Sequence, residues 1–176
     1  MRRAFALALA LALTLAAPPA PAGPPPEPFA AIDGGEIRLS DFAGRPVLVV
    51  NTASFCAYTP QYEALQRLYD RYRARGLVVL AVPSDDFNQE YGSNAEVKDF
   101  CELTYGIDMP MTGITHVRGP RAHPFFRWVK AEAGFEPGWN FNKILLDGEG
   151  NVAGTWGSAA GPLSGAITGR IEALLD

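Results

Sequence analysis

Two unbroken apolar runs stand out along the chain, and each predicts a strand that is covered on both faces. Residues 47–50 (VLVV) and 77–82 (LVVLAV) show no alternation with polar positions, which is typical of strands inside a parallel sheet. Between them, residues 60–75 carry apolar side chains at helical spacing, and Gly76 follows as a helix-ending glycine. The pattern therefore predicts a strand–helix–strand unit with parallel strands.

The rest of the chain predicts further helices and two antiparallel hairpins. Asp33-Gly34-Gly35 is a hairpin turn signal, and Ser93 with Glu96 forms a capping box for a second helix that ends at Gly106. Further elements are a helix over 123–133, a hairpin of strands over 140–146 and 151–156, and a helix over 163–175. This order predicts an α/β fold, a thioredoxin-like three-layer sandwich with a central mixed β-sheet flanked by helices.

The amino terminus has the pattern of a secretory leader. Two arginines precede an apolar run over residues 4–17, and Ala20-Pro21-Ala22 is a small-x-small cleavage site. The run is shorter than the ~20 residues that a transmembrane helix needs, although an uncleaved membrane anchor is the alternative. We expect a signal peptide over 1–22, a proline-rich tether over 23–28 and one folded domain over 29–176, in a protein exported to the bacterial periplasm.

Charge and metal-ligand spacing exclude several classes of function. Without Arg2 and Arg3, 13 basic residues face 19 acidic ones, a net charge of −6. No basic stripe is present, which argues against nucleic acid or an anionic membrane as a partner. The two cysteines and two histidines lack the close paired spacing of zinc ligands. The spacing therefore predicts no zinc site of the usual type.

Cys56 is the residue best placed for chemistry. It follows the first predicted strand and precedes Thr59-Pro60, which we interpret as the N-cap and first position of a helix. Helix N-termini favour negative charge, so a thiol there tends toward the reactive thiolate. The polar loop over 83–92 follows the second strand, and both loops open at the same edge of the sheet.

The second cysteine leaves several interpretations open. Cys101 falls on the apolar stripe of the second predicted helix, where a small core residue is the ordinary occupant. In an exported chain the two cysteines could also form one structural disulfide. The remaining alternative is a catalytic pair that cycles. Threonine at position 59 rules out a C-x-x-C motif, which disfavours ordinary disulfide oxidoreductase chemistry.

Four segments resemble the glutathione peroxidase family in their order and spacing. They are NTASFCAYTPQY (residues 51–62), LAVPSDDF (80–87), QEYGSN (89–94) and WNFNKILLD (139–147). The resemblance covers residues 29–175, and four separated motifs are far more specific than one.

The resemblance implies a role for each of five residues. The family's peroxidatic residue corresponds to Cys56, and its glutamine, tryptophan and asparagine correspond to Gln89, Trp139 and Asn140. Amide and indole N–H groups suit these positions because they donate hydrogen bonds to a thiolate without adding an acid. Cys101 matches the resolving cysteine of the thioredoxin-dependent members.

The implied reaction is the reduction of hydrogen peroxide or an organic hydroperoxide, and it implies neither a metal nor an organic cofactor. Cys56 would become a sulfenic acid, Cys101 would convert it to a disulfide, and a thioredoxin-like protein or glutathione would reduce the product. The short chain lacks the extra loop that tetrameric, glutathione-using members employ for assembly. We therefore expect a monomer with a protein reductant.

Three other classes of protein share part of this sequence pattern. Peroxiredoxins carry a T-x-x-C pattern around their nucleophilic cysteine. In this chain Thr52 lies four residues before Cys56 rather than three. A thioredoxin-fold copper-binding or assembly protein presents C-x-x-x-C, and Pro60 occupies the position of its second cysteine. A redox sensor that passes its disulfide to a partner shares the chemistry, and the sequence does not separate it from a scavenger.

Overall fold

The structure, a computed structural model, describes residues 23–176, so the predicted signal peptide over 1–22 lies outside the described residues. The strands are Phe29–Ala30 (β1), Glu36–Ile37 (β2), Val47–Thr52 (β3), Val78–Pro83 (β4), Lys143–Leu146 (β5) and Val152–Trp156 (β6). The α-helices are Gln61–Tyr72 (α1), Asn94–Tyr105 (α2), Pro124–Ala133 (α3) and Gly165–Leu175 (α4).

The central sheet is mixed, in the strand order β4-β3-β5-β6. β3 and β4 run parallel, from the pair Val47 and Val78 to the pair Thr52 and Pro83, which confirms the predicted strand–helix–strand unit. β5 pairs antiparallel with β3, and β6 with β5. β1 and β2 form the separate hairpin predicted at Asp33-Gly34-Gly35.

Side chains that alternate along each strand divide the core between the two faces of the sheet. Leu48 and Val50 of β3 pack in one cluster with buried residues of α1, α2 and α4. Val47 and Val49 pack in a second cluster with buried residues of α3. Helices thus cover both faces of a mixed sheet, which confirms the predicted three-layer architecture.

Near the candidate site, two predicted element boundaries are wrong. Thr59 is not the N-cap of α1, because the helix begins at Gln61 and the Thr59 hydroxyl bonds within the preceding loop. The strand predicted over 140–146 begins only at Lys143, because Phe141 has a φ of 60°, outside the extended conformation.

The segment predicted as a tether, residues 23–28, contacts the end of the sheet away from Cys56. The prolines at positions 24–26 line a cavity of about 220 Å³ together with Phe42 and Val47. Val47 is the first residue of β3, whereas Cys56 follows its last residue. The boundary between tether and domain stays a prediction.

Candidate active site

The loop after β3 holds Cys56 in a fixed, largely buried position. Cys56 is 6% exposed. Its backbone N–H donates to the Thr59 hydroxyl at 3.0 Å, and that hydroxyl donates to the carbonyl of Ala53 at 2.8 Å. The backbone N–H of Tyr58 points at the Cys56 sulphur, 3.4 Å away. A threonine that bonds both arms of the loop therefore fixes the thiol just ahead of α1, with a donor directed at it.

Gln89 and Asn140 come together beside this loop. The Asn140 amide donates to the Gln89 side-chain oxygen at 2.9 Å, and the Gln89 carbonyl accepts from the backbone N–H of Phe55 at 2.9 Å. Gln89 is thereby bonded both to Asn140 and to the residue that precedes Cys56. Three of the predicted site residues, from three separate segments, thus share one edge of the sheet.

Asn51, near the carboxyl end of β3, fixes the segment that carries Trp139 and Asn140. Its side chain donates to the carbonyl of Trp139 at 2.9 Å and accepts from the backbone N–H of Asn142 at 3.0 Å. Its own carbonyl accepts from the N–H of Phe141 at 2.6 Å. Sequence reasoning did not single out Asn51, although an amide inside a covered strand needs buried partners and was the available signal.

Two non-glycine residues with positive φ flank the predicted amide pair. Asn88, at φ 54°, precedes Gln89, and Phe141, at φ 60°, follows Asn140. Such conformations are uncommon outside glycine and persist where the surrounding structure enforces them. Phe141 is fully buried, with its ring 5.4 Å from that of Tyr62. The backbone is therefore held in an unfavourable form at both residues that aim the amides.

Aromatic side chains form the rim of the site. Trp139 is 41% exposed, and its ring lies 5.2 Å from that of Phe87. Phe55, next to Cys56, is 56% exposed and lies 4.4 Å from the ring of Tyr91. Phe55 and Trp139 thus present apolar surface to solvent from two of the segments that carry the site.

Cys101 lies on the inner face of α2 and is 1% exposed. Both cysteines are free thiols in the structure. Burial raises the pKa of the Cys101 thiol to about 11, with the neighbouring Tyr62 hydroxyl acting in the opposite direction. The helix is capped by Ser93, whose hydroxyl accepts from the N–H of Glu96, and it ends at Gly106, as predicted. In this form the Cys101 thiol lies within an intact helix and is shielded from solvent.

Lys143, the first residue of β5, is linked to Asn140 through Ser158. Its ammonium group is fully buried and donates to the Gln61 side-chain oxygen at 2.5 Å and to the carbonyls of Ser158 and Ala160 at 3.3 and 2.7 Å. The Ser158 hydroxyl in turn donates to the carbonyl of Asn140 at 2.6 Å. The three acceptors are uncharged, and burial lowers the pKa of Lys143 to about 8.

Replacing Lys143 by methionine is expected to change how stability depends on pH. Because the folded pKa of about 8 lies below the ordinary 10.5, the unfolded chain binds more protons between these values. The free energy of unfolding of the wild type therefore rises with pH across that window. Relative to Lys143→Met, it should gain roughly 3 kcal/mol between pH 7 and pH 10.5. Urea denaturation at both pH values measures this gain.

The exposed Lys130 provides the control for that measurement. Its side chain is 58% exposed and pairs with Glu136, so Lys130→Met should leave the pH dependence of the wild type unchanged. A constant difference in unfolding free energy between wild type and Lys143→Met would contradict the buried-lysine account.

The described part of the chain offers neither a metal cluster nor a membrane span. Within residues 23–176, no group of three or more histidine, cysteine, aspartate or glutamate side chains could hold a metal ion. Among the same residues, no helix combines the length and apolar character that crossing a bilayer requires.

Comparison with known proteins gives consistent matches. The family model for glutathione peroxidase matches residues 28–130. Hydroperoxy fatty acid reductase gpx1 of Synechocystis is 42% identical, over 82% of this chain and 91% of that protein. The glutathione peroxidase-like peroxiredoxin gpx1 of Schizosaccharomyces pombe is 38% identical, over 74% and 85%.

Solved structures agree on the fold. The crystal structure of T. cruzi GPX1 matches with a TM-score of 0.64 at 28% identity, over 85% of this chain and 94% of that one. A thiol:disulfide interchange protein of Chlorobium tepidum matches with a TM-score of 0.64 at 19% identity, over 91% of this chain and all of that one.

The fold and the thiol at the edge of its sheet place the chain among the thioredoxin-fold oxidoreductases. Within that class, the chain belongs to the glutathione peroxidase family. It is a thiol-dependent peroxidase, which acts on a peroxide and draws its electrons from a thiol reductant. These matches do not favour the alternatives of a copper-assembly protein or a redox sensor.

Proposed function

We propose that Cys56 is the thiol that reduces the peroxide. Its thiolate attacks the nearer peroxide oxygen, the O–O bond breaks, and water or an alcohol leaves while Cys56 becomes a sulfenic acid. The observation that carries the proposal is the fixed position of Cys56 ahead of α1, with the Tyr58 N–H directed at its sulphur and the bonded Gln89–Asn140 pair beside its loop. Preoriented donors of this kind stabilise the charge that develops on sulphur and oxygen.

Cys101 is the resolving cysteine of the proposed cycle. Its thiol attacks the sulfenic acid, water leaves, and a Cys56–Cys101 disulfide forms. Two Cα atoms must come within ~7 Å for such a bond, and Cys101 is buried in α2 in the reduced form. We expect the second half of α2 to unwind in every cycle, so that Cys101 can reach Cys56. A thioredoxin-like protein then reduces the disulfide, in preference to glutathione.

The proposed substrates include hydroperoxides of fatty acids as well as hydrogen peroxide. An acyl chain needs apolar surface next to the sulphur, and the exposed rings of Phe55 and Trp139 supply it. The Synechocystis relative carries hydroperoxy fatty acid reductase in its name. The two observations are independent and favour the same substrate class.

The proposed place of action is the bacterial periplasm, with the protein as a monomer. Support comes from the leader-like pattern over residues 1–22 and from the short chain. A cytosolic thioredoxin would not reach an exported enzyme, so the reductant would be a thioredoxin-like protein of the same compartment.

The substrate and reductant proposals are tested together by peroxide consumption with residues 23–176. Thioredoxin with its reductase and glutathione with its reductase are compared, each with hydrogen peroxide and with linoleic acid hydroperoxide. Thioredoxin should support turnover of both peroxides. Phe55→Ala should lower kcat/KM for the fatty acid hydroperoxide roughly five- to tenfold, because one aromatic contact is lost, and should change hydrogen peroxide turnover little.

The matched control is Leu103→Ala, which removes an apolar side chain that is 85% exposed on α2. It should leave both substrates unaffected. Equal losses for both peroxides in Phe55→Ala would contradict the acyl-chain proposal, and turnover with glutathione alone would contradict the protein reductant.

A further inference from the structure

Five polar side chains lie buried between the segments that carry the two cysteines. This buried polar cluster consists of Thr52, Ser54, Tyr62, Glu90 and Cys101, each at most 9% exposed. Side-chain oxygens of the first four lack a hydrogen bond of good geometry within the described residues. Buried polar atoms are almost always well bonded, so four oxygens whose polar neighbours are chiefly one another and the Cys101 thiol call for an explanation.

Glu90 is the charged member of the cluster, and it lies against the peroxidatic loop. One carboxylate oxygen accepts from the N–H groups of Ser54 at 3.2 Å and of Tyr91 at 2.9 Å, and the other has no hydrogen bond of good geometry. The Ser54 hydroxyl also lies near the carboxylate. Ser54 is two residues from Cys56, so this carboxylate is bonded to the loop that carries the peroxidatic thiol.

Glu90 is also close to the resolving cysteine. Burial raises the pKa of both Cys101 and Tyr62, and the negative charge of Glu90 raises both further. The Tyr62 hydroxyl faces the Cys101 thiol. The ring of Tyr91 lies 5.7 Å from that of Phe100, the residue before Cys101. The carboxylate is therefore bonded to the loop of Cys56 and lies close enough to Cys101 to influence its thiol.

The resolving step needs a base at this point. Only a thiolate attacks a sulfenic acid at a useful rate, and the thiol of Cys101 is buried with a pKa of about 11. Burial likewise raises the pKa of Glu90, which makes its carboxylate a stronger base than an exposed one. The other titratable groups that act on this pair are Asp85 and Glu102.

We propose that Glu90 accepts the proton of the Cys101 thiol as Cys101 leaves its buried position in α2 to attack the sulfenic acid of Cys56. The S–H bond of Cys101 and the S–O bond of Cys56 break, the S–S bond forms, and Glu90 passes the proton to the departing hydroxide. One water leaves, and no further oxidant or reductant is needed. The inference rests on the two-cysteine cycle proposed above.

Single-turnover kinetics test this role. Reduced protein is mixed with one equivalent of hydrogen peroxide without reductant, and loss of the Cys56 thiol and formation of the disulfide are timed by acid quench and mass spectrometry. Glu90→Gln retains an oxygen for Ser54 and Tyr91 but is not a base. It should slow disulfide formation about tenfold or more, less than the ~10²–10⁴-fold typical of general base catalysis because water also accepts the proton. The peroxide step should slow much less.

The pH profile separates a base from a structural support. The wild-type rate of disulfide formation should level off above the pKa of Glu90, whereas in Glu90→Gln it should keep rising about tenfold per pH unit toward the pKa of Cys101. Glu90→Asp should retain the plateau, which keeps the test decisive if the glutamine variant folds poorly. The exposed Glu96, changed to glutamine, is the control and should match the wild type.

Two results would overturn the role of Glu90 alone, and a third would overturn the two-cysteine cycle as well. Disulfide formation at the wild-type rate in Glu90→Gln, or equal slowing of both steps, leaves Glu90 a structural residue. Absence of any Cys56–Cys101 disulfide in the wild type overturns the two-cysteine cycle itself, and the role of Glu90 with it.

Discussion

Changing Cys56 to serine is expected to abolish peroxide turnover with every reductant, a loss of roughly 10³-fold or more, the scale seen when a catalytic nucleophile is removed. A hydroxyl in this position is not ionised at neutral pH and is a weak nucleophile toward the O–O bond. The loss should be the same for hydrogen peroxide and for linoleic acid hydroperoxide, because both depend on the same sulphur. Coupled peroxidase assays on the purified variant measure it.

Stability provides the control for the Cys56 variant. Serine differs from cysteine by one atom, and the backbone bonds that Cys56 makes to Thr59 do not involve its sulphur. The unfolding midpoint should therefore stay near that of the wild type. An active Cys56→Ser enzyme, with peroxide consumed at the wild-type rate, would move the reaction away from this loop.

Changing Cys101 to serine is expected to have the second largest effect, because it separates the two halves of the cycle. Oxidation of Cys56 by peroxide should proceed within about twofold of the wild-type rate, whereas thioredoxin-supported turnover should fall by roughly twentyfold or more. Without a resolving thiol the sulfenic acid persists and is oxidised further. Rapid-quench mass spectrometry detects the retained oxygen, and the coupled assay detects the lost turnover.

A core role for Cys101 gives a different result. Cys101 is 1% exposed in the cluster that contains Tyr62 and Val97, so Cys101→Ala tests packing without placing a hydroxyl there. If both variants retain full thioredoxin-supported turnover and lose only stability, Cys101 is a core thiol and the cycle uses Cys56 alone.

The sheet and the location of Cys56 were predictable because they depend on strong local patterns. The apolar runs at 47–50 and 77–82 predicted two parallel strands. Because the carboxyl ends of parallel strands meet at one edge of a sheet, the loops that follow them were expected to lie together. Gln89, Trp139 and Asn140 carry no such pattern and were assigned only through the family resemblance. The structure shows that Gln89 and Asn140 share a hydrogen bond of 2.9 Å.

The remaining features depend on contacts that no local pattern encodes. Thr59 before Pro60 has the sequence of an N-cap, but its hydroxyl bonds to Cys56 and Ala53 across the loop. Phe141 resembles a strand residue, yet bonds to Asn51 and packing on Tyr62 hold it in a left-handed conformation. Tertiary bonds of this kind override propensity.

Peptide mapping after a single turnover tests the central claim most directly. Reduced wild-type protein is given one equivalent of hydrogen peroxide, free thiols are alkylated, and the peptides are analysed by mass spectrometry. The account predicts that the peroxide is consumed, that both thiols are lost, and that the peptide with Cys56 is joined to the peptide with Cys101. Peroxide consumed while Cys56 remains fully alkylated would contradict it.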